Sequence, residues 1–430
     1  MEGIEIMIDR KNLVLVTVDS LRADFVSCYG NADRELTPNM DRLAQEGKLF
    51  RNAIAQGSYT RASVPSFFTS TYPWKLRPGG DISDRANLAT ILKENGYETA
   101  FFHSNPFLSR ANGYGRGFDV FDDSLLPWNL KLNQKRTRQL GRFFRVLRKK
   151  PYLPAEKLVE KSINWLSSAG SPYFLWLHLM DPHGPYQKPG SGYLKKFRAE
   201  KLWQKAVNHP DRISESEKEK LLEAYRNEVT YADRHIGRLL SAVKDRNDET
   251  VVALTADHGE EFGEHGDYSH NPKPYEELIR VPFLLRGPVQ SGGVVESQFA
   301  LLDLIPSLLN SFGIESEGYH LDGESFDLIE PGGEPGQEYV ICQPDQDVIC
   351  LRGRRWKYVV EHESRLLFDL KNDPGERKNI YEDREDLVKK FENMLADNRE
   401  KYGGSGQFES DDFGENDGET RQRLEDLGYL

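Results

Sequence analysis

The stretch 251–270 reads VVALTADHGEEFGEHGDYSH. An apolar, β-favouring run stops at Asp257 and His258, two side chains able to bind a metal ion, and Gly259 follows. Such a run predicts a strand buried on both faces. Open α/β sheets gather their ligands at the carboxyl ends of their strands. The arrangement recurs near the N-terminus, where the apolar run 12–18 closes on Asp19. Two carboxylates at the ends of parallel strands can converge on one cation. A cation beside a hydroxyl lowers the hydroxyl's pKa and makes it a nucleophile. Ser63 is the candidate hydroxyl, at the start of a helix running through 67–70. A serine there ordinarily caps the helix, but a helix N-terminus also attracts anions through its N–H groups and dipole.

The remaining polar residues of these segments divide by context. Glu260, Glu261 and Glu264 read as a solvated acidic loop, because such side chains are mostly exposed. His178 lies inside an apolar run and reads as a satisfied core histidine. His183 comes just past the end of that run, in Asp181-Pro182-His183-Gly184, and is the better candidate for chemistry.

The elements that must position these residues follow from the same patterns. Strands are predicted over 12–18, 49–53, 98–103, 173–180, 251–256 and 280–286. Helices are predicted from the Thr37-Pro38 start to Gly47, and over 87–95, 214–244 and 301–312. Residues 323–336, rich in Gly, Pro and Glu, read as a linker. Beyond it, 339–343, 348–351, 357–361 and 366–370 are short alternating segments that predict a small antiparallel sheet, with a closing helix over 384–399. Residues 403–430 read as an acidic tail. The basic stretch 131–150 reads as a solvated insertion.

The totals exclude several classes. The chain has 430 residues and a formal net charge of −12, so nonspecific nucleic-acid binding is not expected. Three cysteines, with no Cys-x-x-Cys pair, fit a reducing compartment. No apolar run reaches membrane-spanning length, and the first residues lack a signal-peptide layout. The expectation is a cytoplasmic protein; the oligomeric state is left open.

Seven segments occur in one order: Val18-Asp19-Ser20-Leu21-Arg22, Thr37-Pro38-Asn39-Met40-Asp41, Ser63-Val64-Pro65-Ser66, Asp181-Pro182-His183-Gly184-Pro185-Tyr186, Ala256-Asp257-His258-Gly259-Glu260 with Gly263-Glu264-His265-Gly266, Tyr275-Glu276 with Arg280-Val281-Pro282, and Leu367-Phe368-Asp369-Leu370 with Asn372-Asp373-Pro374-Gly375-Glu376. Together they resemble the sulfatase family of the alkaline phosphatase superfamily, from about residue 12 to 379. The resemblance implies an α/β fold: a doubly wound, mostly parallel sheet over residues 1–330 and a small C-terminal α+β subdomain over 336–402. It implies a divalent cation held by Asp19, Ser63, Asp257 and His258, with Ser63 as nucleophile. His183 would hold the anionic ester or assist the leaving group, and His270 or Lys273 would supply a positive group; His265 is a weaker candidate.

Two departures bear on the chemistry. Ser20 stands where many sulfatases have a second acid, which removes one carboxylate ligand. Phe67 stands four residues after Ser63, where the family's arginine directs maturation to formylglycine, so the usual signal is missing. Arg61 could return positive charge beside the anion. The implied activity is metal-dependent hydrolysis of a small-molecule or glycan sulfate ester, with calcium as the cation and Ser63 or its formylglycine form as nucleophile. The alternative is a phosphodiesterase, phosphonate hydrolase or phospho-group transferase using unmodified Ser63 with manganese or zinc. A non-catalytic binding domain is the third possibility.

Overall fold

The computed structural model describes residues 11–30, 35–124, 152–187, 193–287, 293–329 and 335–402. The basic stretch 131–150 and the tail 403–430 lie outside them, as does part of the 323–336 linker.

Fourteen strands are described, in chain order: β1 (Asn12–Val18), β2 (Lys48–Ile54), β3 (Glu98–Phe102), β4 (Val120–Asp122), β5 (Tyr173–Leu179), β6 (Thr250–Ala256), β7 (Glu261–Phe262), β8 (Tyr268–Ser269), β9 (Arg280–Arg286), β10 (Gly293–Ala300), β11 (Tyr339–Asp345), β12 (Val348–Gly353), β13 (Trp356–Glu361) and β14 (Ser364–Asp369). Eight of them form the main sheet, in the order β10-β2-β9-β6-β1-β5-β3-β4. β9 pairs antiparallel with both β2 and β6, and the other pairings are parallel. The sheet is therefore parallel apart from one reversed strand. Every residue of β1, β5 and β6 is buried, as expected of central strands covered on both faces.

Helices form the covering layers. Ala155–Leu166 packs on the long helix Glu215–Asp245, which packs on Pro38–Gln45; Thr60–Thr69 packs on Leu304–Ser311. The architecture is the doubly wound α/β fold expected. Among the described residues, no helix is long and apolar enough to cross a membrane.

The second sheet is antiparallel, in the order β11-β12-β13-β14, at the positions the alternation predicted. Val340, Val348, Val359 and Phe368 pack with Ile54, Leu278, Ile279 and Leu302 of the main body. Its other face carries Ile341, Ile349, Tyr358 and Leu367 against Val388, Phe391 and Leu395 of the helix Glu385–Tyr402. The alternation thus serves two apolar interfaces at once.

The elements not foreseen include β4, β7, β8 and β10 and the helices Ala155–Leu166, Tyr193–Asn208 and Glu276–Ile279. Thr37 precedes the first helix as expected, but its hydroxyl serves the Ser27 N–H instead of a helical one.

Candidate active site

β1 and β6 are adjacent and parallel, and Val18 pairs with Ala256. Asp19 and Asp257 are therefore each one residue past the last pair, at the carboxyl edge of the sheet. Ser20 turns the chain sharply there, with φ +59°, a conformation that costs a non-glycine residue and persists only under surrounding support. That support is visible: the Tyr225 hydroxyl donates to the Ser20 carbonyl at 2.6 Å, and the Ser20 N–H reaches Asp257 Oδ1 at 3.3 Å.

Asp19, Asp257 and His258 are fully buried. His258 Nε2 lies 3.7 Å from Asp19 Oδ1 and 3.5 Å from Asp257 Oδ2, while its Nδ1 faces the Gly259 carbonyl at 2.8 Å. The structure brings these three residues together as the sequence predicted, and it adds two others. His178 Nε2 stands 3.5 Å from Asp19 Oδ2, and Asn105 Nδ2 donates to the same oxygen at 3.0 Å. His178 is not the satisfied core residue expected. Its Nδ1 meets Thr17 Oγ1 at 2.8 Å, but its Nε2 is buried with no hydrogen-bond partner among the described residues.

The electrostatics of this cluster call for a cation. Burial pushes the Asp19 carboxyl up, but the imidazoles of His183, His178 and His258 outweigh it and hold the group well below its usual range. Asp257 moves the other way, pushed well up by burial and then by the Asp19 charge. Asp257 Oδ2 is likewise buried without a partner. Ligand atoms of Asp19, His178 and Asp257 lie within 4.8 Å of one another. Two carboxylates and an imidazole nitrogen, two of these donors unsatisfied, fit a divalent cation, and the mixed oxygen and nitrogen set admits calcium, manganese or zinc.

Ser63 reaches the same place from the helix Thr60–Thr69, where its hydroxyl donates to the Asp257 carbonyl at 2.5 Å. It is not the helix cap, however. Tyr59 is the cap and Ser63 the fourth helical residue, its N–H bonded to the Tyr59 carbonyl at 3.0 Å. Gly57 makes room for this turn, since a Cβ there would strike Ala62 and the Ser63 nitrogen. Phe67 is buried, its ring 6.4 Å from that of Trp176. Arg61 lies over the rings of Tyr59 and Phe107, at 5.9 Å and 5.3 Å.

Of the two candidates for the positive group, the structure brings only His270 to the cluster. Its ring is 4.5 Å from that of His258 and 5.0 Å from that of His183. The Lys273 ammonium is held by Asp267 at 2.6 Å and Glu261 at 3.5 Å. The β7–β8 hairpin, pairing Glu261 with Ser269, fixes which way each residue points. His183 is buried with its Nδ1 at 2.6 Å from the Gly184 carbonyl.

The hairpin also overturns the solvated reading of the acidic loop. Glu260 and Glu261 are fully buried, and Glu264 pairs with Arg22 at 2.6 Å. Glu261 Oε1 accepts the N–H groups of His265 and Asp267, at 2.8 Å and 3.1 Å. Glu260 Oε1 lies 3.3 Å from His270 Nδ1, and burial pushes its carboxyl up to about 7. Burial pushes the His258 and His270 imidazoles down to about 4. They are neutral near pH 7, as an imidazole that ligates a metal must be.

The missed residues had faint signals. His178 occupies the third-last position of the predicted strand 173–180, and Asn105 follows the predicted strand 98–103 by two residues. Only the pairing of Thr17 with His178 shows which side of the sheet edge they share.

Comparison with known proteins gives the family and the fold. The Sulfatase family model matches residues 11–314. An arylsulfatase of Clostridium perfringens is 23% identical over 453 residues, covering 89% of this chain and 93% of that protein. Among solved structures, the 2-O GAG sulfatase BT1596 superposes with a TM-score of 0.72 at 20% identity, covering 92% of this chain and 93% of its own. The phosphonate monoester hydrolase of Agrobacterium radiobacter also gives 0.72 at 20% identity, covering 91% and 96%.

Proposed function

The chain belongs to the sulfatase family, and from that premise we propose that it is a metal-dependent hydrolase of sulfate esters whose nucleophile is Ser63. The observation that carries the site assignment is the convergence of Ser63 with Asp19, Asp257 and His258 at one buried edge of the sheet. Asp19, Asp257, His258 and Ser63 are the proposed ligands, with His178 as an added donor. When bound, a divalent cation, calcium on this reading, neutralises the ester's non-bridging oxygens and lowers the pKa of the hydroxyl.

The protein's own groups do the rest. The helix carrying Ser63 fixes the attacking oxygen against the sheet edge. Asn105 and Ser20 each donate to Asp19, at 3.0 Å and 2.9 Å, and hold its carboxylate in one orientation. The rings of His183 and His270 lie 5.0 Å apart and are proposed to meet the anionic oxygens and the leaving oxygen with N–H hydrogen bonds. Glu260, 3.3 Å from His270 Nδ1, orients that ring. The substrate class is a small-molecule or glycan sulfate ester, and residues 336–402 are read as a subdomain closing the catalytic unit 1–330. Three free thiols, Cys28, Cys342 and Cys350, support a reducing compartment such as the cytoplasm.

One observation favours a second reading. Phe67 replaces the maturation arginine, and a plain serine suits hydrolysis or transfer of a phosphodiester or phosphonate with manganese or zinc. The test is peptide mass spectrometry across residue 63 together with turnover on aryl sulfate, phosphodiester and phosphonate panels. Sulfate turnover supports the first reading. An unmodified Ser63 with turnover on phosphorus esters alone replaces it with the second.

A further inference from the structure

A second group of metal-ligating side chains lies behind the active-site loop. His265 belongs to the loop between β7 and β8, Glu277 to the short helix Glu276–Ile279, and Glu376 to the turn after β14. Their ligand atoms lie within 4.8 Å of one another. The His265 and Glu277 side chains are 7% and 9% exposed, with Nδ1 3.7 Å from Oε1. Both ring nitrogens of His265 and Oε1 of Glu277 are buried with no hydrogen-bond partner among the described residues. A buried polar atom that nothing meets carries its full desolvation penalty. Two of them, His265 Nδ1 and Glu277 Oε1, stand 3.7 Å apart with nothing between them, which packing does not explain.

The charged groups around the cluster pair with acids other than Glu277. Lys357, fully buried, stands 3.2 Å from Glu276 and 2.7 Å from Glu376 Oε1, and Arg352 reaches Glu276 at 2.8 Å. These two cations offset Glu276 and Glu376. Arg22 is engaged by Asp24 and Glu264, and Lys273 by Asp267 and Glu261. Glu277 is left with no Lys or Arg within ion-pair distance among the described residues. Glu376 Oε2 accepts the Glu276 N–H at 2.7 Å, which fixes its carboxylate, and each carboxylate oxygen has lone pairs for a further partner. Glu376 holds φ +52°, a strained conformation that this anchoring maintains.

We propose that His265, Glu277 and Glu376 form a second cation site that binds a zinc-class divalent ion and ties the active-site loop to the small antiparallel sheet. One imidazole and two carboxylates are the donor set that such ions accept. Burial, with Arg377 and Lys273 nearby, holds the His265 imidazole down at about 4, so its lone pair is free at neutral pH. Burial also pushes the Glu277 carboxyl up to about 7, as expected of an acid awaiting a counter-charge. The alternative occupant is a proton shared between Glu277 and His265.

The test counts zinc. The full chain is stripped with chelator, dialysed against micromolar zinc and assayed for metal per chain, as wild type, Asp257→Asn, Glu277→Gln and His265→Gln. Glu277→Gln keeps the side chain's shape, so a failure of His265→Gln to fold leaves the test intact. The expected result is one equivalent fewer in Glu277→Gln than in wild type, and a further loss when Asp257→Asn is added. The Asp257→Asn chain alone should keep the ion, and its zinc absorption edge should show nitrogen and oxygen neighbours. An unchanged zinc count in Glu277→Gln overturns the proposal in favour of the shared proton. Because Asp257 is varied separately, this failure is distinct from failure of the catalytic centre.

Discussion

Asp19 and Asp257 leave neighbouring parallel strands at the same step, each one residue beyond the Val18–Ala256 pair. Their burial makes each carboxylate a problem for the other, which a divalent cation resolves. Asp257→Asn removes a proposed ligand while keeping the side chain's shape. We expect kcat/KM on a sulfate ester to fall about 10³-fold, the equivalent of roughly 4 kcal/mol of lost transition-state stabilisation. Chelation of the wild type should match this loss, and adding calcium back should reverse it. Wild-type turnover by the variant would remove Asp257 from the centre.

His270 and Lys273 are three residues apart and meet different partners. His270→Ala should lower kcat about 10²-fold, the scale of one lost hydrogen-bond donor to a developing charge. Lys273→Ala should keep kcat within about twofold, because its ammonium is turned to Asp267 and Glu261 and not to the cluster. Steady-state kinetics on the two variants decide the matter, and the reverse ranking would return the role to the lysine.

Asp303 offers a pH dependence away from the active site. It is 1% exposed; Oδ1 accepts the Glu324 N–H at 2.7 Å, and Oδ2 has no partner among the described residues. Burial raises its carboxyl from 3.8 to about 8. Between those values the folded chain holds a proton that the unfolded chain releases, so stability falls as pH rises from about 4 to 8. At about 1.4 kcal/mol per unit the loss is a few kcal/mol. Asp303→Asn should flatten that part of the profile in urea unfolding at pH 5 and pH 8. Parallel profiles for the two proteins would rule the aspartate out as the source.

Gly259 admits the return of the chain behind the metal cluster. A Cβ there would meet the Glu277 carbonyl oxygen, which also accepts the Glu260 N–H at 3.2 Å. Gly259→Ala should cost on the order of 3 kcal/mol through forced displacement of that backbone and should lower Tm and turnover together. A variant with the wild-type Tm would show that the loop yields without strain.

The strands that carry the site were legible because each is an unbroken apolar run. β1, β5 and β6 have no polar face to disguise them. β10 was not, since Glu296, Ser297 and Gln298 interrupt its pattern at the sheet edge. Asp19, Asp257 and His258 were readable as strand-end residues. His178 was not, because its access to the edge depends on the register of β5 against β1, a relation between segments about 160 residues apart. The acids of the loop were misjudged for the same kind of reason: their burial follows from a two-residue hairpin with little pattern of its own.

The seating of Lys357 sets a rule for anyone who would transplant this catalytic loop. Its ammonium lies wholly out of water, clasped by Glu276 next to the loop and Glu376 across the gap. A graft bringing residues 257–286 without β12 and β13 would strand Glu276 in a dry pocket without Arg352 and Lys357, and the recipient scaffold would pay for it in stability. The piece that moves as one is the loop together with the two strands that face it.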